Sequence, residues 1–140
     1  MNELENARKE ITRIDAEMAR LFEERMSQCV QIAAYKKERG LSIRDAVREE
    51  ALINRNCGLI RNPDVESYYV RFLKNTIDLS CRYQSRLMNG MRVTYSGVEG
   101  AFAHIAAKKM FPDAELVACR DFASAYQAVE DGECDCAVLP

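Results

Sequence analysis

Apolar side chains recur at alternating spacings of three and four residues along the first part of the chain. The series consists of Leu4, Ala7, Ile11, Ile14, Met18 and Leu21. This period is typical of one face of a helix, and no Gly or Pro interrupts residues 3–39. The pattern predicts a single helix of about 55 Å at 1.5 Å per residue. Because the rest of one small domain cannot cover such a helix, its apolar face requires a partner helix, most economically from a second copy.

Two shorter helices are predicted next. Gly40 ends the first helix, and a second helix is predicted over about residues 44–59. A third is predicted over about residues 65–89, with Asp64 as the candidate N-cap and Gly90 at its end.

The hydrophobic period changes after Gly90. Short apolar runs alternate with helix-like segments, which is typical of a β-α-β-α-β unit in a parallel sheet. The predicted strands cover residues 92–95, 116–119 and 136–139, and the predicted helices cover about residues 101–110 and 122–130. The sequence therefore predicts an all-α domain at residues 1–90 and the beginning of an α/β domain at residues 91–140.

Charge supports the same division. The chain has a formal net charge of −2, with 16 basic and 14 acidic residues up to Gly90 and 4 and 8 after it. This balance argues against a nucleic-acid binder. The apolar runs are too short to span a membrane, and the N-terminal residues are polar. We therefore expect a soluble, cytoplasmic protein that binds neither nucleic acid nor membrane.

The cysteines do not predict a metal site. The six cysteines include no C-x-x-C pair, and the single histidine is His104, whereas metal sites usually have closely spaced ligands. We expect reduced, mostly buried thiols. The loop from Gly97 to Gly100 lacks the G-x-G-x-x-G spacing of dinucleotide sites, so we expect no cofactor either.

Polar residues occur where the apolar faces should continue. Arg25 occupies a heptad position of the first helix, and Lys36 lies eleven residues later on the same face. Ser80 and Gln84 interrupt the apolar face of the third helix. Since a buried cation is costly without an anion, the set predicts a pocket for an anionic ligand. Alternatively, Arg25 forms a structural ion pair with Glu49, and the other residues are satisfied interior polar groups.

Arg8 borders the same face but lies 17 residues before Arg25. On a straight helix this spacing separates the two by roughly 25 Å. No small ligand can contact both within one chain. If both serve one pocket, Arg8 comes from the other subunit of an antiparallel pair.

Dispersed polar positions along residues 4–87 form a recognisable set. They are Arg8, Asp15, Glu24-Arg25, Lys36, the Arg-Asp-Ala-Val-Arg-Glu segment at 44–49, Ser80 and Gln84. In this order they resemble the all-helical class of chorismate mutase. The resemblance implies an intertwined homodimer of three-helix protomers. Its substrate would be chorismate, a dianion that rearranges to prephenate without a nucleophile, metal or cofactor.

The resemblance also implies how the substrate carboxylates are bound. Arg8 of the partner protomer and Arg25 would clamp the two carboxylates, for which a planar guanidinium is suited. Ser80 would help to orient one of them.

Further roles are implied at the reacting end. Lys36 and Gln84 would donate to the breaking ether oxygen, and Glu49 would accept from the ring hydroxyl. Asp45 would line that end, and Arg48 would position Glu49 or close the pocket. Catalysis would come from holding the reactive conformer and stabilising the developing charge.

The last 50 residues carry a second resemblance. The Tyr-Ser-Gly-Val-Glu-Gly-Ala-Phe-Ala-His-Ile-Ala-Ala stretch at 95–107 and the stretch from Gly132 to Pro140 resemble the opening of prephenate dehydratase. The Ile-Glu-Asn-Ser and Thr-Arg-Phe motifs of that family are missing. The whole resembles the bifunctional mutase–dehydratase of phenylalanine biosynthesis. We expect the dehydratase part to be incomplete here, with dehydratase activity only in a full-length protein.

Two alternatives remain open at this point. The helical part could be a non-catalytic dimerisation module whose interior charges only set helix register. The dehydratase-like segment could be the active part. An assay that follows the ultraviolet absorbance of chorismate and the fate of any prephenate formed distinguishes these two alternatives from a chorismate mutase.

Overall fold

The computed structural model describes residues 2–139, which form three helices followed by a β-α-β-α-β segment. The elements are α1 (Glu3–Arg39), α2 (Ala46–Cys57), α3 (Pro63–Asn89), β1 (Arg92–Ser96), α4 (Phe102–Met110), β2 (Glu115–Cys119), α5 (Phe122–Glu130) and β3 (Cys136–Val138). The predicted order of an all-α part followed by an α/β segment is confirmed. Pro140, the last residue of the second resemblance, lies outside the described residues.

The long helix α1 has the bounds that the sequence predicts. At its start, the Asn2 side chain accepts a hydrogen bond from the Glu5 N–H at 2.8 Å. At its end, Gly40 adopts a left-handed conformation with φ of 64°, and its N–H bonds to the carbonyls of Lys36 and Lys37. Because side chains disfavour that conformation, glycine is suited to end the helix there.

Helix α2 is shorter than predicted at both ends. It begins at Ala46 because Asp45 is its N-cap: the Asp45 carboxylate accepts from the Arg48 N–H at 3.1 Å. It ends at Cys57, two residues before the predicted end.

The predicted N-cap of α3 is wrong. Asn62, rather than Asp64, caps this helix, and its side-chain oxygen accepts from the Asp64 N–H at 3.0 Å. Pro63 takes the first helical position, where its fixed φ fits and its missing N–H costs nothing. The helix therefore starts one residue before the predicted cap.

The core of the helical part is centred on α3. Buried Leu73, Ile77 and Cys81 pack with the partly buried Ile43, Leu52, Ile53 and Tyr69. The N-terminal half of α1 has no comparable cover. The exposed fraction is 44–57% for Leu4, Ile11, Ile14, Met18 and Leu21. A single protomer therefore leaves the predicted apolar face of α1 open to solvent.

The sheet has the strand order β2-β1-β3, and all pairs are parallel. β1 is the central strand, and its Val93 and Thr94 are fully buried. The β1-to-β2 and β2-to-β3 connections run in opposite directions across the sheet, so right-handed crossovers place α4 and α5 on opposite faces. Val93 packs with Ala103 and Ala107 of α4.

The six thiols are unpaired. Cys29, Cys81 and Cys134 are buried and the other three are half-buried. Within residues 2–139, no group of three or more His, Cys, Asp and Glu side chains could hold a metal ion. Over the same residues, every helix is too short or too polar to cross a membrane.

The capping geometry predicts how two neighbouring substitutions differ. Asn62→Ala removes the side-chain acceptor of α3 and should lower the free energy of unfolding by about 1 kcal/mol. Asp64→Asn leaves the cap intact and should cost only a few tenths of that, from the weaker interaction with the helix dipole. Chemical denaturation followed by circular dichroism measures both, and a larger loss for Asp64→Asn would contradict the assignment.

Candidate active site

A cleft of about 980 Å³ lies between α1, the 40–45 connection, α2 and α3. Seven of the eight predicted site residues line it: Arg25, Lys36, Asp45, Arg48, Glu49, Ser80 and Gln84. The eighth, Arg8, lies exposed near the start of α1 and does not line this cleft. The fold thus brings together in one chain every predicted residue except the one expected from a partner.

Arg25 and Ser80 connect α1 to α3 at one end of the cleft. The Arg25 guanidinium donates a hydrogen bond to the Ser80 Oγ. The Ser80 hydroxyl in turn donates to the Thr76 carbonyl at 2.8 Å, which leaves its lone pairs to accept from Arg25. Ser80 is removed from bulk water at 4% exposure, whereas Arg25 is half-buried and faces the cleft.

Lys36 and Gln84 form a second connection between α1 and α3. The Lys36 Nζ donates to the Ile43 carbonyl at 2.6 Å and to the Gln84 Oε1 at 3.3 Å. Gln84 is buried. Because its oxygen accepts from Lys36, its amide nitrogen remains a donor for another group in the cleft. The contact with Ile43 also fixes the connection between α1 and α2.

Glu49 is held by an arginine to which the sequence analysis gave no role. Its Oε1 accepts from the Arg44 Nη1 at 2.9 Å and lies 3.8 Å from the Cys81 Sγ. Arg48 does not hold Glu49 in the described structure: its backbone N–H bonds to Asp45, and its exposed side chain lines the cleft. The alternative pairing of Arg25 with Glu49 is absent from residues 2–139.

Asp78 is another residue that sequence reasoning missed. It lies on α3 and forms ion pairs with Arg44 and with Arg82, the latter at 2.8 Å. The sequence carries one signal for it, since Asp78 and Arg82 are four residues apart and such pairs contact on a helix. The contact with Arg44 has no local signal, because it joins residues 34 positions apart.

The cleft carries an excess of positive charge. Its charged lining consists of the cations Arg25, Lys36, Arg44 and Arg48 and the carboxylates Asp45 and Glu49. This is a formal excess of two positive charges. In the part of the chain that the structure describes, Arg25, Lys36 and Arg48 have no carboxylate within 4.0 Å, whereas Arg44 has two. A ligand with two negative charges would compensate this excess.

Two family models match the chain in consecutive segments. Residues 7–85 match chorismate mutase type II, and residues 93–140 match prephenate dehydratase. The first match covers more than half of the chain. The chain belongs to the chorismate mutase type II family. All seven cleft residues lie within the segment that matches this family.

Two bifunctional relatives align with nearly the whole chain, and a third protein aligns with about a third of it. The bifunctional chorismate mutase/prephenate dehydratase of Buchnera aphidicola subsp. Schizaphis graminum is 29% identical over 99% of this chain, and that of Escherichia coli K12 is 26% identical over 99%. This chain spans 40% of the length of either relative. Arogenate dehydratase/prephenate dehydratase 2 of Arabidopsis thaliana is 48% identical over 50 residues, which are 36% of this chain and 13% of that protein. No solved structure matches the chain significantly.

The Cys81 thiol lines the cleft of this chorismate mutase type II family member, and its pKa lies above the usual range of a thiol. Burial raises the pKa of Cys81, and the neighbouring Glu49 adds to that effect, while Arg44 and Lys36 partly oppose it. The thiolate form is therefore depleted at neutral pH. Since the thiolate is the nucleophile, Cys81 should react slowly with alkylating reagents.

Iodoacetamide at pH 8 should alkylate Cys81 more slowly than half-buried Cys57, because burial disfavours the Cys81 thiolate. Peptide mass spectrometry over time measures both rates in one sample. In concentrated urea the two rates should converge, because the burial is lost. Equal rates in the folded protein would contradict this account.

Proposed function

We propose that this chain rearranges chorismate to prephenate, as an isomerase of aromatic amino acid biosynthesis. The observation that carries the proposal is the cleft, in which Arg25 and Lys36 of α1 contact Ser80 and Gln84 of α3. Its excess of two positive charges complements the two carboxylates of chorismate. Membership of the chorismate mutase type II family supports the same reaction.

The reaction is unimolecular, so the residues need only bind and stabilise. Arg25, held by Ser80, binds a carboxylate of the substrate. Lys36 and the amide nitrogen of Gln84 donate to the ether oxygen as its bond to carbon breaks and negative charge develops there. Glu49 accepts from the ring hydroxyl. The rate enhancement then comes from selecting the compact conformer and from donors placed before the reaction.

The active form proposed here is a homodimer. The apolar face of α1 is exposed in one protomer, and an antiparallel second copy of α1 would cover it. The same arrangement brings the partner's Arg8 across roughly 25 Å to the end of the cleft where Arg25 lies. Arg8 then supplies the second carboxylate contact.

Dehydration of prephenate is proposed only for a protein that carries a complete dehydratase domain. Residues 93–140 match that family, and the bifunctional relatives carry both names. The described part of this segment consists of three strands and two helices. Location in the cytoplasm stays a prediction from composition.

The first test is turnover of chorismate, followed by the loss of its ultraviolet absorbance. Lys36→Ala should lower kcat/KM by about a hundredfold or more, equivalent to on the order of 3 kcal/mol, because a donor to the developing charge is lost. Lys37→Ala is the matched control, since Lys37 is exposed, does not line the cleft and should tolerate the change.

Each rival has a distinct outcome in this assay. A non-catalytic helical module gives no turnover in the wild-type protein, and near-wild-type turnover of Lys36→Ala contradicts the assigned role. Conversion of prephenate onward to phenylpyruvate favours the dehydratase segment as an active part. Accumulation of prephenate favours the mutase alone.

Subunit complementation tests the role of Arg8. Arg8→Ala and Lys36→Ala should each be nearly inactive alone. After unfolding and refolding together, mixed dimers should contain one site with both native residues, and about a quarter of wild-type activity should return. No recovery, with dimers shown by sedimentation, would place Arg8 outside the shared site.

A further inference from the structure

Arg82 of α3 contacts the end of a helix in the α/β segment. Its Nη1 donates to the Val129 carbonyl at 3.0 Å, and its Nη2 donates to the Glu130 carbonyl. Both carbonyls belong to the last turn of α5, where the helix dipole favours a cation. The Val129 carbonyl also accepts from the Gly132 N–H at 3.1 Å, so Arg82 supplies its second donor. Arg82 therefore joins the α/β segment to the helical part.

Gly132 makes room for this contact. It has a φ of 77°, and a Cβ added to it would lie 3.0 Å from the Cγ and Nε atoms of Arg82. That distance is shorter than a normal van der Waals contact. The turn after α5 thus accommodates the Arg82 side chain closely.

On its other side, Arg82 continues into the candidate active site. The Arg82 Nε donates to the Asp78 Oδ2 at 2.8 Å, and the Asp78 Oδ1 accepts from the Arg44 Nη2. Arg44 in turn donates to the Glu49 Oε1 at 2.9 Å. A continuous series of hydrogen bonds therefore runs from the carbonyls of α5 to a carboxylate that lines the cleft.

The charges in this series support one another. Burial works to raise the pKa of Asp78, but the hydrogen bonds and charges of Arg82 and Arg44 outweigh it and hold that pKa below its usual range. Asp78 is therefore anionic at neutral pH and can orient both guanidinium groups. Each exposed pair alone contributes little to stability, so the effect of the series is to fix geometry.

We propose that Arg44, Asp78 and Arg82 are positioning residues that keep the Glu49 carboxylate in place in the cleft. Through Arg82, the position of that carboxylate depends on how the α/β segment docks on the helical part. The inference rests on the proposed mutase function, in which Glu49 accepts from the ring hydroxyl of chorismate. None of the three residues needs to touch the substrate for this role. Their effect on the reaction passes through Glu49.

A double-mutant cycle on the whole chain tests this route. Arg82→Ala should lower kcat/KM for chorismate about fivefold, mostly through KM, because Glu49 contacts the substrate in both the ground and the transition state. In a Glu49→Gln background, the same substitution should change kcat/KM by less than about twofold, because the residue through which it acts is already altered. A purely structural role of Arg82 predicts equal effects in both backgrounds and would overturn the proposal.

Two further variants act as controls. Arg86→Ala removes another guanidinium of α3 that faces the same segment, 3.8 Å from Asp135, but outside the hydrogen-bonded series. It should change kcat/KM by less than about twofold. Asp78→Asn keeps the side-chain shape and should reproduce the Arg82→Ala result, and it replaces that variant in the cycle if Arg82→Ala does not fold.

The failure of this inference is distinguishable from failure of the proposed function. If wild-type protein converts chorismate and the cycle is additive, the function stands and the positioning role is wrong. If wild-type protein does not convert chorismate, the cycle is measured on thermal unfolding instead. Non-additive midpoint shifts of Arg82→Ala and Glu49→Gln then support the coupling, and additive shifts overturn it.

Discussion

Arg25 and Lys36 lie half-buried on one face of α1 without a carboxylate partner in the described part of the chain. Taking a cation out of water costs free energy unless polar groups meet it. Ser80 and Gln84 of α3 and the carbonyl of Ile43 supply those groups. The same contacts set how α1 lies against α3 and where the connection to α2 passes. The remaining charge excess is what makes the cleft suited to a dianion.

The length of α1 places a second constraint on the helical part. A helix of 37 residues extends well beyond the core formed by α2 and α3, so its first half keeps an exposed apolar face. Covering that face and supplying a second arginine to the cleft are separate requirements. In the proposed homodimer, one antiparallel copy of the same helix would meet both, so dimerisation and catalysis are parts of one proposal.

The α/β segment is joined to the helical part by more than its short linker. The Arg82 guanidinium donates to a carbonyl in the last turn of α5 and to the Asp78 carboxylate. One side chain therefore contacts both parts of the chain. Its place on α3, between Ser80 and Gln84, puts it on the same helix as two cleft residues. In the proposed arrangement, a change in the docking of α5 alters the position of Glu49 in the cleft through Arg82, Asp78 and Arg44.

The sequence alone predicted the order and type of the elements, because helical periodicity and the residues at helix ends are local signals. Interrupted apolar faces predicted four of the cleft residues, whereas the site roles of Asp45, Arg48 and Glu49 were implied only by the family resemblance. Arg25 and Lys36 share a face of α1, and Ser80 and Gln84 share a face of α3, wherever the rest of the chain lies. The N-cap of α3 was misjudged because Pro63 moves the start of the helix back to Asn62. Only the tertiary structure decided that Arg44 forms ion pairs with both Glu49 and Asp78. That contact depends on the path of the 40–45 connection, and no short-range pattern specifies which distant charge a flexible arginine reaches.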